Sequence, residues 1–213
     1  MEDLKIVNFD ESCAEEAAKV YSEAFMSEGV NSYIFDFSRK STREFFQKMI
    51  AAEIMVIHKS GYRIVTVCKD GRVAGVAILK NNRKLAFLKR TQLLLHRLPV
   101  LAKMFMKVRL KRAKSVMKAI AVPKSIRGHY STLYAIAVHP EFQNMGIGKM
   151  LLAHVHRENE ADPNNCGVYL FTADKKNHAL YERVGYKTVE TKQGGDLTIY
   201  HMFRMSACRN GKK

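Results

Sequence analysis

The stretch from Leu133 to Lys149 constrains the fold more than any other part of the chain. Leu133–Val138 is an apolar, β-rich run that stops just before Pro140. A loop holding Gln143, Asn144, Met145, Gly146, Ile147, Gly148 and Lys149 follows, and a helical pattern starts at Met150, Leu151, Leu152 and Val155. A strand that feeds such a loop brings the free amides of a helix N-terminus, and the positive end of its dipole, to one point. A phosphate fits there, and glycine lets it approach the backbone closely. Two glycines also make an ordinary turn, so the wider pattern has to decide.

That pattern lies downstream. Val168-Tyr169-Leu170-Phe171-Thr172 is a second β-rich run, and it leads into Asn177-His178-Ala179-Leu180-Tyr181-Glu182-Arg183-Val184-Gly185-Tyr186. The first stretch, Leu133-x-x-Ile136-x-Val138-x-Pro140-x-x-Gln143-x-x-Gly146-x-Gly148, resembles the acetyl-CoA signature of the GCN5-related N-acetyltransferase (GNAT) family. The second resembles that family's Asn…Tyr…Gly-aromatic element with its alanine displaced. The resemblance covers residues 1–205. It implies an α/β fold with a mixed, splayed central sheet flanked by helices.

The rest of the chain agrees in order. Lys5-Ile6-Val7 predicts a short strand, and Ser12 or Asp10 a cap for a helix through Ala17, Val20, Tyr21, Ala24 and Phe25. Ser41 with Glu44 predicts a capping box opening a second helix through Phe45, Phe46, Met49 and Ile50. Asp70-Gly71 predicts a hairpin between Arg63–Lys69 and Arg72–Leu79. A helix is expected over Gly146–Glu160, a strand over Gly167–Thr172 and a short helix over Lys176–Arg183. Lys187–Thr191 and Leu197–Met205 close the order as a hairpin about Gly194-Gly195.

The departure is residues 81–128, where a short turn is expected. This insert holds Lys and Arg but no Asp or Glu, and carries much of the chain's net charge of +16. Its apolar residues fall at helical spacing on either side of Pro99, predicting two helices. One reading is a solvated helical hairpin covering the substrate side of the sheet. The others are a surface-seeking basic helix, an anion-binding lid, or a contact with an acidic macromolecule. An anionic membrane surface or another acidic partner is the candidate for residues 84–121, and a homodimer is compatible with the chain. The four cysteines, Cys13, Cys68, Cys166 and Cys208, are scattered, which argues against zinc or a disulfide framework. The start Met1-Glu2-Asp3-Leu4-Lys5 is not basic and no apolar run follows it, so no signal peptide and a cytoplasmic protein are expected. One domain is expected over 1–205, with a tail over 206–213.

The resemblance implies acetyl-CoA as co-substrate and no metal. Main-chain groups of Ile136, Ala137 and Val138 would pair with the pantetheine arm. Gln143 through Lys149 would cradle the pyrophosphate, and Asn177 would touch the cofactor. Tyr181 would be the acid that protonates the leaving thiolate. The family's base positions on the signature strand are Thr132 and Tyr134, neither a carboxylate nor a histidine. His129, Glu28, Asp36 or a water chain remain, and none is singled out. The expected activity is acetyl transfer to a primary amine of a small molecule or peptide. Polyamines are disfavoured by the basic insert unless the pocket is acidic, and amines bearing a carboxylate or phosphate fit better. A non-catalytic acetyl-CoA sensor and an anionic-surface-binding protein are the rival readings.

Overall fold

The computed structural model describes residues 4–81 and 107–206. One seven-stranded sheet runs through them in the order β1-β2-β3-β4-β5-β7-β6. Its strands are β1 (Lys5–Asn8), β2 (Arg63–Lys69), β3 (Arg72–Asn81), β4 (Ser131–Val138), β5 (Gly167–Thr172), β6 (Lys187–Gly194) and β7 (Leu197–Met205). Every neighbouring pair is antiparallel except β4 and β5, which are parallel. The helices are α1 (Ala14–Met26), α2 (Gly29–Ile34), α3 (Lys40–Lys59), α4 (Leu110–Ala119), α5 (Ile147–Ala161) and α6 (Lys175–Arg183).

The expected elements are present with informative differences. Asp10 does the capping: its Oδ1 accepts from the Ser12 N–H at 2.9 Å and opens a single 3-10 turn, Glu11–Cys13, that leads into α1. The capping box at Ser41 does not form. Helix α3 starts two residues earlier than a Ser41 cap would place it, with Arg39 at the cap position and no side-chain cap bond. Ser41 lies inside the first turn, where its hydroxyl accepts from Lys107 Nζ at 2.9 Å. Helix α2 lacks the length for a periodic signal and went unforeseen. Strand β6 runs to Gly194, so the turn is Gly195-Asp196 rather than Gly194-Gly195. Of the two helices expected in the insert, the first lies outside the described residues and the second is α4.

Helices α1 and α3 cover one face of the sheet. Ala17, Val20, Phe46, Ile50, Ile54 and Ile57 meet Ile64, Val76, Ile78, Ala135 and Ala137 there. Helix α5 covers the opposite face with Ile147, Leu151, Leu152 and Val155, against Val65, Ala77, Leu133, Val168 and Met202. These four lie on one helical stripe, and burying each is worth about 1.5–3 kcal/mol. Gly75 on β3 makes that approach possible. A Cβ there would stand 2.7 Å from Ile147 Cγ2 and 3.1 Å from Leu151 Cδ1.

Helix α4 packs beside α2 and over the β6–β7 end of the sheet. Val116 and Ala119 join Val30 and Ile199 in a small apolar cluster. His201 Nε2 lies 2.8 Å from the Ala119 carbonyl and its Nδ1 2.7 Å from the Tyr169 hydroxyl. Only one tautomer satisfies both: Nε2–H donates to the carbonyl and Nδ1 accepts from the phenol. The described half of the insert is therefore a packed part of the fold. Among the described residues no helix is long and apolar enough to cross a membrane.

Candidate active site

The parallel pair β4–β5 joins in register only at Ser131↔Val168 and Thr132↔Tyr169. Beyond Thr132 the two strands part, and the Leu133–Val138 edge of β4 is left without β5. A bulge marks the parting. Ile78 pairs with Ala135 and Leu79 with Leu133, which places the extra residue of the bulge at Tyr134. Ile136, Ala137 and Val138 follow on this unpaired edge, where an extended chain could add as a strand.

The cleft between the strands leads to the loop 139–146. A 3-10 turn, Pro140–Phe142, is capped by His139, whose Nδ1 accepts from the Glu141 N–H at 3.3 Å. With Nδ1 accepting, Nε2 is left to donate and faces Glu23 Oε2 at 3.3 Å. Gln143 is exposed with extended backbone, φ −65° and ψ 157°. Asn144 and Gly146 both adopt left-handed backbone, at φ 64° and 83°. The chain thereby curls over the start of α5, and a Cβ on Gly146 would meet nothing within 4 Å.

Gly146 offers no side-chain cap. The first intrahelical bond runs from Met150 N–H to the Gly146 carbonyl at 3.0 Å. The N–H groups of Ile147, Gly148 and Lys149 therefore have no helical acceptor. Lys149 is exposed and adds a charge near them. Free amides, a helix dipole and an uncrowded glycine make the arrangement fit a pyrophosphate.

Across the cleft stands α6. Asp174 Oδ1 caps it, accepting from Lys176 N–H at 2.7 Å and Asn177 N–H at 3.0 Å. The Asn177 side chain is exposed on the first turn. Tyr181 is 9% exposed and packs edge-on against Tyr186 at 5.5 Å between ring centres. Its hydroxyl has no hydrogen bond among the described residues, yet it is not among the sealed orphan polar atoms. Burial, followed by the negative charge of Glu28, pushes this phenol well above the usual tyrosine range. It is thus fully protonated at neutral pH.

The base candidates separate clearly. His129 stands before β4, at the far end of the strand from the loop, where its carbonyl accepts from Cys166 N–H at 2.7 Å. Asp36 is engaged by Ser38, whose hydroxyl donates at 2.7 Å, and by Arg39 and Arg109 at 3.3 and 3.9 Å. Thr132 is held in the β4–β5 register. Tyr134 donates to Glu53 Oε1 at 3.2 Å while the Lys80 ammonium sits 3.1 Å from the centre of its ring. Glu28 lies in the α1–α2 turn and faces Tyr181 and Tyr21, whose phenols both feel its charge. Tyr21, Glu53 and Gly75 were missed in the sequence. Only Gly75 left a signal there, as a glycine inside a branched strand.

The shallow groove between α1 and α3, lined by Glu15, Ala18, Glu44 and Lys48, shares no residue with this site.

Comparisons with known proteins agree with the geometry. Residues 112–188 match the acetyltransferase (GNAT) domain model. The structure superposes on a Corynebacterium glutamicum protein described as histone acetyltransferase HPA2 and related acetyltransferase, with a TM-score of 0.70 and 16% identity, covering 97% of this chain and 98% of that one. It also superposes on the ribosomal-protein-S18-alanine N-acetyltransferase of Escherichia coli, with a TM-score of 0.55, 15% identity and 99% of each chain covered. A third match is the PaiA N-acetyltransferase of Thermoplasma acidophilum in complex with coenzyme A, with a TM-score of 0.59, 12% identity, and 95% of this chain and 99% of that one covered. No curated protein matches by sequence. The GNAT resemblance read from the sequence is borne out in both the matched segment and the fold.

Proposed function

We propose that this GNAT-fold chain transfers the acetyl group of acetyl-CoA directly to a primary amine. One observation carries the reading: the opening between β4 and β5 beyond Thr132 ends at the free amides of Ile147, Gly148 and Lys149. Ile136, Ala137 and Val138 would hold the pantetheine arm, and Gln143, Asn144, Met145 and Gly146 would close over the pyrophosphate, with Asn177 on the opposite wall.

Tyr181 would give its proton to the departing thiolate. Burial makes a thiolate formed beside it a stronger base than in water, which favours that transfer. The test is a calorimetric titration with acetyl-CoA. Native chain and Tyr181→Phe should both bind, Gly146→Glu should not, and Tyr181→Phe should release CoA about 100-fold more slowly with an amine present. A folded native chain that fails to bind acetyl-CoA would refute the proposal.

The non-catalytic sensor reading has one observation behind it. Tyr134, at the family's base position, is occupied by Glu53 and Lys80. Native activity with an amine that is lost in Tyr181→Phe removes that reading.

A further inference from the structure

Acidic and phenolic groups from six places in the fold gather near the cleft and feel one another's charge. Glu28 comes from the α1–α2 turn, Tyr21 from α1, Glu53 from α3 and Tyr181 from α6. Lys80 of β3 and Tyr134 of β4 stand beside Glu53, and Asp174 stands at the β5–α6 junction. Three of these acids or phenols are committed. Glu53 holds Lys80 at 3.6 Å and Tyr134 at 3.2 Å. Asp174 caps α6.

Glu28 is different. Its Oε2 takes three bonds, from Val30 N–H at 3.0 Å, Asn31 N–H at 3.1 Å and Asn31 Nδ2 at 2.9 Å. Its Oε1 takes none among the described residues. The side chain is therefore fixed in place by one oxygen while the other stays open. The backbone fixes it further. Gly29 packs so closely on the end of β5 that a Cβ there would lie 3.3 Å from the Ala173 Cβ. That contact ties the Glu28 turn to the junction from which α6 carries Tyr181.

We propose that Glu28 is the proton acceptor of the transfer, taking the ammonium proton of the incoming amine at its open Oε1. The assignment rests on the transferase reading above and names a residue and a class of acceptor for it. The acceptor enters as a cation drawn to a carboxylate. Its N–H bond breaks to Glu28 Oε1, the freed lone pair forms the C–N bond at the thioester carbon, and the C–S bond breaks. Tyr181 protonates the thiolate and recovers a proton from the new amide nitrogen. One proton, that on Glu28, leaves to solvent. Burial raises the Glu28 carboxyl above its ordinary value, against the opposing pull of its three hydrogen bonds, and Asp174 adds to the rise. The carboxylate is thus a stronger base than an exposed glutamate.

The experiment compares two acceptors that differ in their need for a base. n-Butylamine is an ammonium ion at neutral pH and hydroxylamine is not. Release of CoA from acetyl-CoA is followed for native chain, Glu28→Gln and Glu28→Asp. Gln keeps an oxygen to accept the three bonds, so the turn should fold. The expected result is a fall in kcat/KM of about 100-fold or more for n-butylamine in Glu28→Gln, with hydroxylamine nearly unchanged. Glu28→Asp should recover part of the loss, and the acid limb of the native pH profile should vanish in Glu28→Gln. Equal slowing of both acceptors, or of neither, would overturn the assignment while leaving the transferase reading intact. A native chain that binds acetyl-CoA and turns over neither amine would overturn both.

Discussion

Replacing Gly75 by alanine tests whether the nucleotide-binding loop depends on how closely α5 lies on the sheet. The added Cβ would stand 2.7 Å from Ile147 Cγ2, 3.1 Å from Leu151 Cδ1 and 3.2 Å from the Ala137 carbonyl oxygen. Ordinary carbon contacts are about 3.5–4.0 Å, so the helix must move or the side chains must leave their rotamers. Ile147 is 1% exposed and Leu151 fully buried, so neither has room to turn away. Overpacking of this kind costs about 1–3 kcal/mol. In a chain of 213 residues that corresponds to a fall in Tm of about 2–12 °C. The displaced part is the first turn of α5, which carries the amides of Ile147, Gly148 and Lys149, so acetyl-CoA binding should weaken together with stability. Ile147→Ala removes the nearest clashing atom. In the double-mutant cycle, Gly75→Ala should cost less by at least about 1 kcal/mol when Ile147 is already alanine. Thermal melts and acetyl-CoA titrations of the four proteins check this. Strict additivity, or an unchanged Tm in Gly75→Ala, would refute the reasoning.

Two further outcomes are expected. Burial, followed by the charge of Arg204, lowers His156 to about 4, while its Nε2 shares a 3.1 Å hydrogen bond with the Tyr186 hydroxyl. A histidine held neutral in the fold binds a proton on unfolding, so its stabilising share is complete above its unfolded value of about 6.5 and is lost as pH falls from there toward 4. Tm should drop across that window, and His156→Asn should flatten the drop; an unchanged slope would remove His156 as its cause. The outer face of α4 exposes Leu110 and Met117 beside Lys111, Lys114 and Lys118, and Val122 is exposed just past its end. If that face meets an anionic surface, binding to phosphatidylserine vesicles should weaken steeply with salt and fail in Lys111→Glu/Lys114→Glu/Lys118→Glu; salt-independent binding would exclude it.

What was legible in the sequence was what local rules write. The β4–loop–α5 unit and the Asp70-Gly71 hairpin are set by residues adjacent in the chain, and both stand within a residue or two of expectation. Asp70 and Gly71 take φ 51° and 77°, as a primed turn requires. The missed parts depend on partners far away in sequence. Ser41 and Glu44 have the right spacing for a capping box, but the turn before α3 puts Arg39 in the extended cap conformation and sends the Ser41 hydroxyl to Lys107. Glu28 was one of several base candidates. Its distinction arises only when Gly29 docks on Ala173 and brings the turn opposite α6, a contact between residues 144 positions apart. The bulge at Tyr134 likewise follows from the register shift on β3 between Ile78 and Leu79.

The chain's charge and the site's charge point in opposite directions, and distance decides which one an acceptor meets. The excess of cations lies largely in the insert, and in its described part Lys111, Lys114 and Lys118 lie exposed on α4. The cleft itself is flanked by Glu28, Glu53 and Asp174 among phenols, with Lys80 paired to Glu53. At physiological ionic strength a charge is screened beyond about 8 Å in solvent, whereas groups that share a water-poor cleft interact far more strongly at short range. An amine at Glu28 Oε1 therefore responds to the carboxylate and hardly to solvated lysines on another helix. The condition under which the basic insert ceases to disfavour cationic acceptors, an acidic pocket, is met by the described side of the cleft. With Glu28 as the proposed proton acceptor, a cationic amine is the acceptor expected at the reacting end. An anionic group on the same acceptor gains only by reaching outward toward α4, whose Arg112 lies 4.6 Å from the Tyr33 ring on α2. Tyr33 is five residues along the chain from Glu28, about 7.5 Å of helix rise. An acceptor that uses both ends would be long enough to span that gap, with its ammonium inward and its anion at the rim.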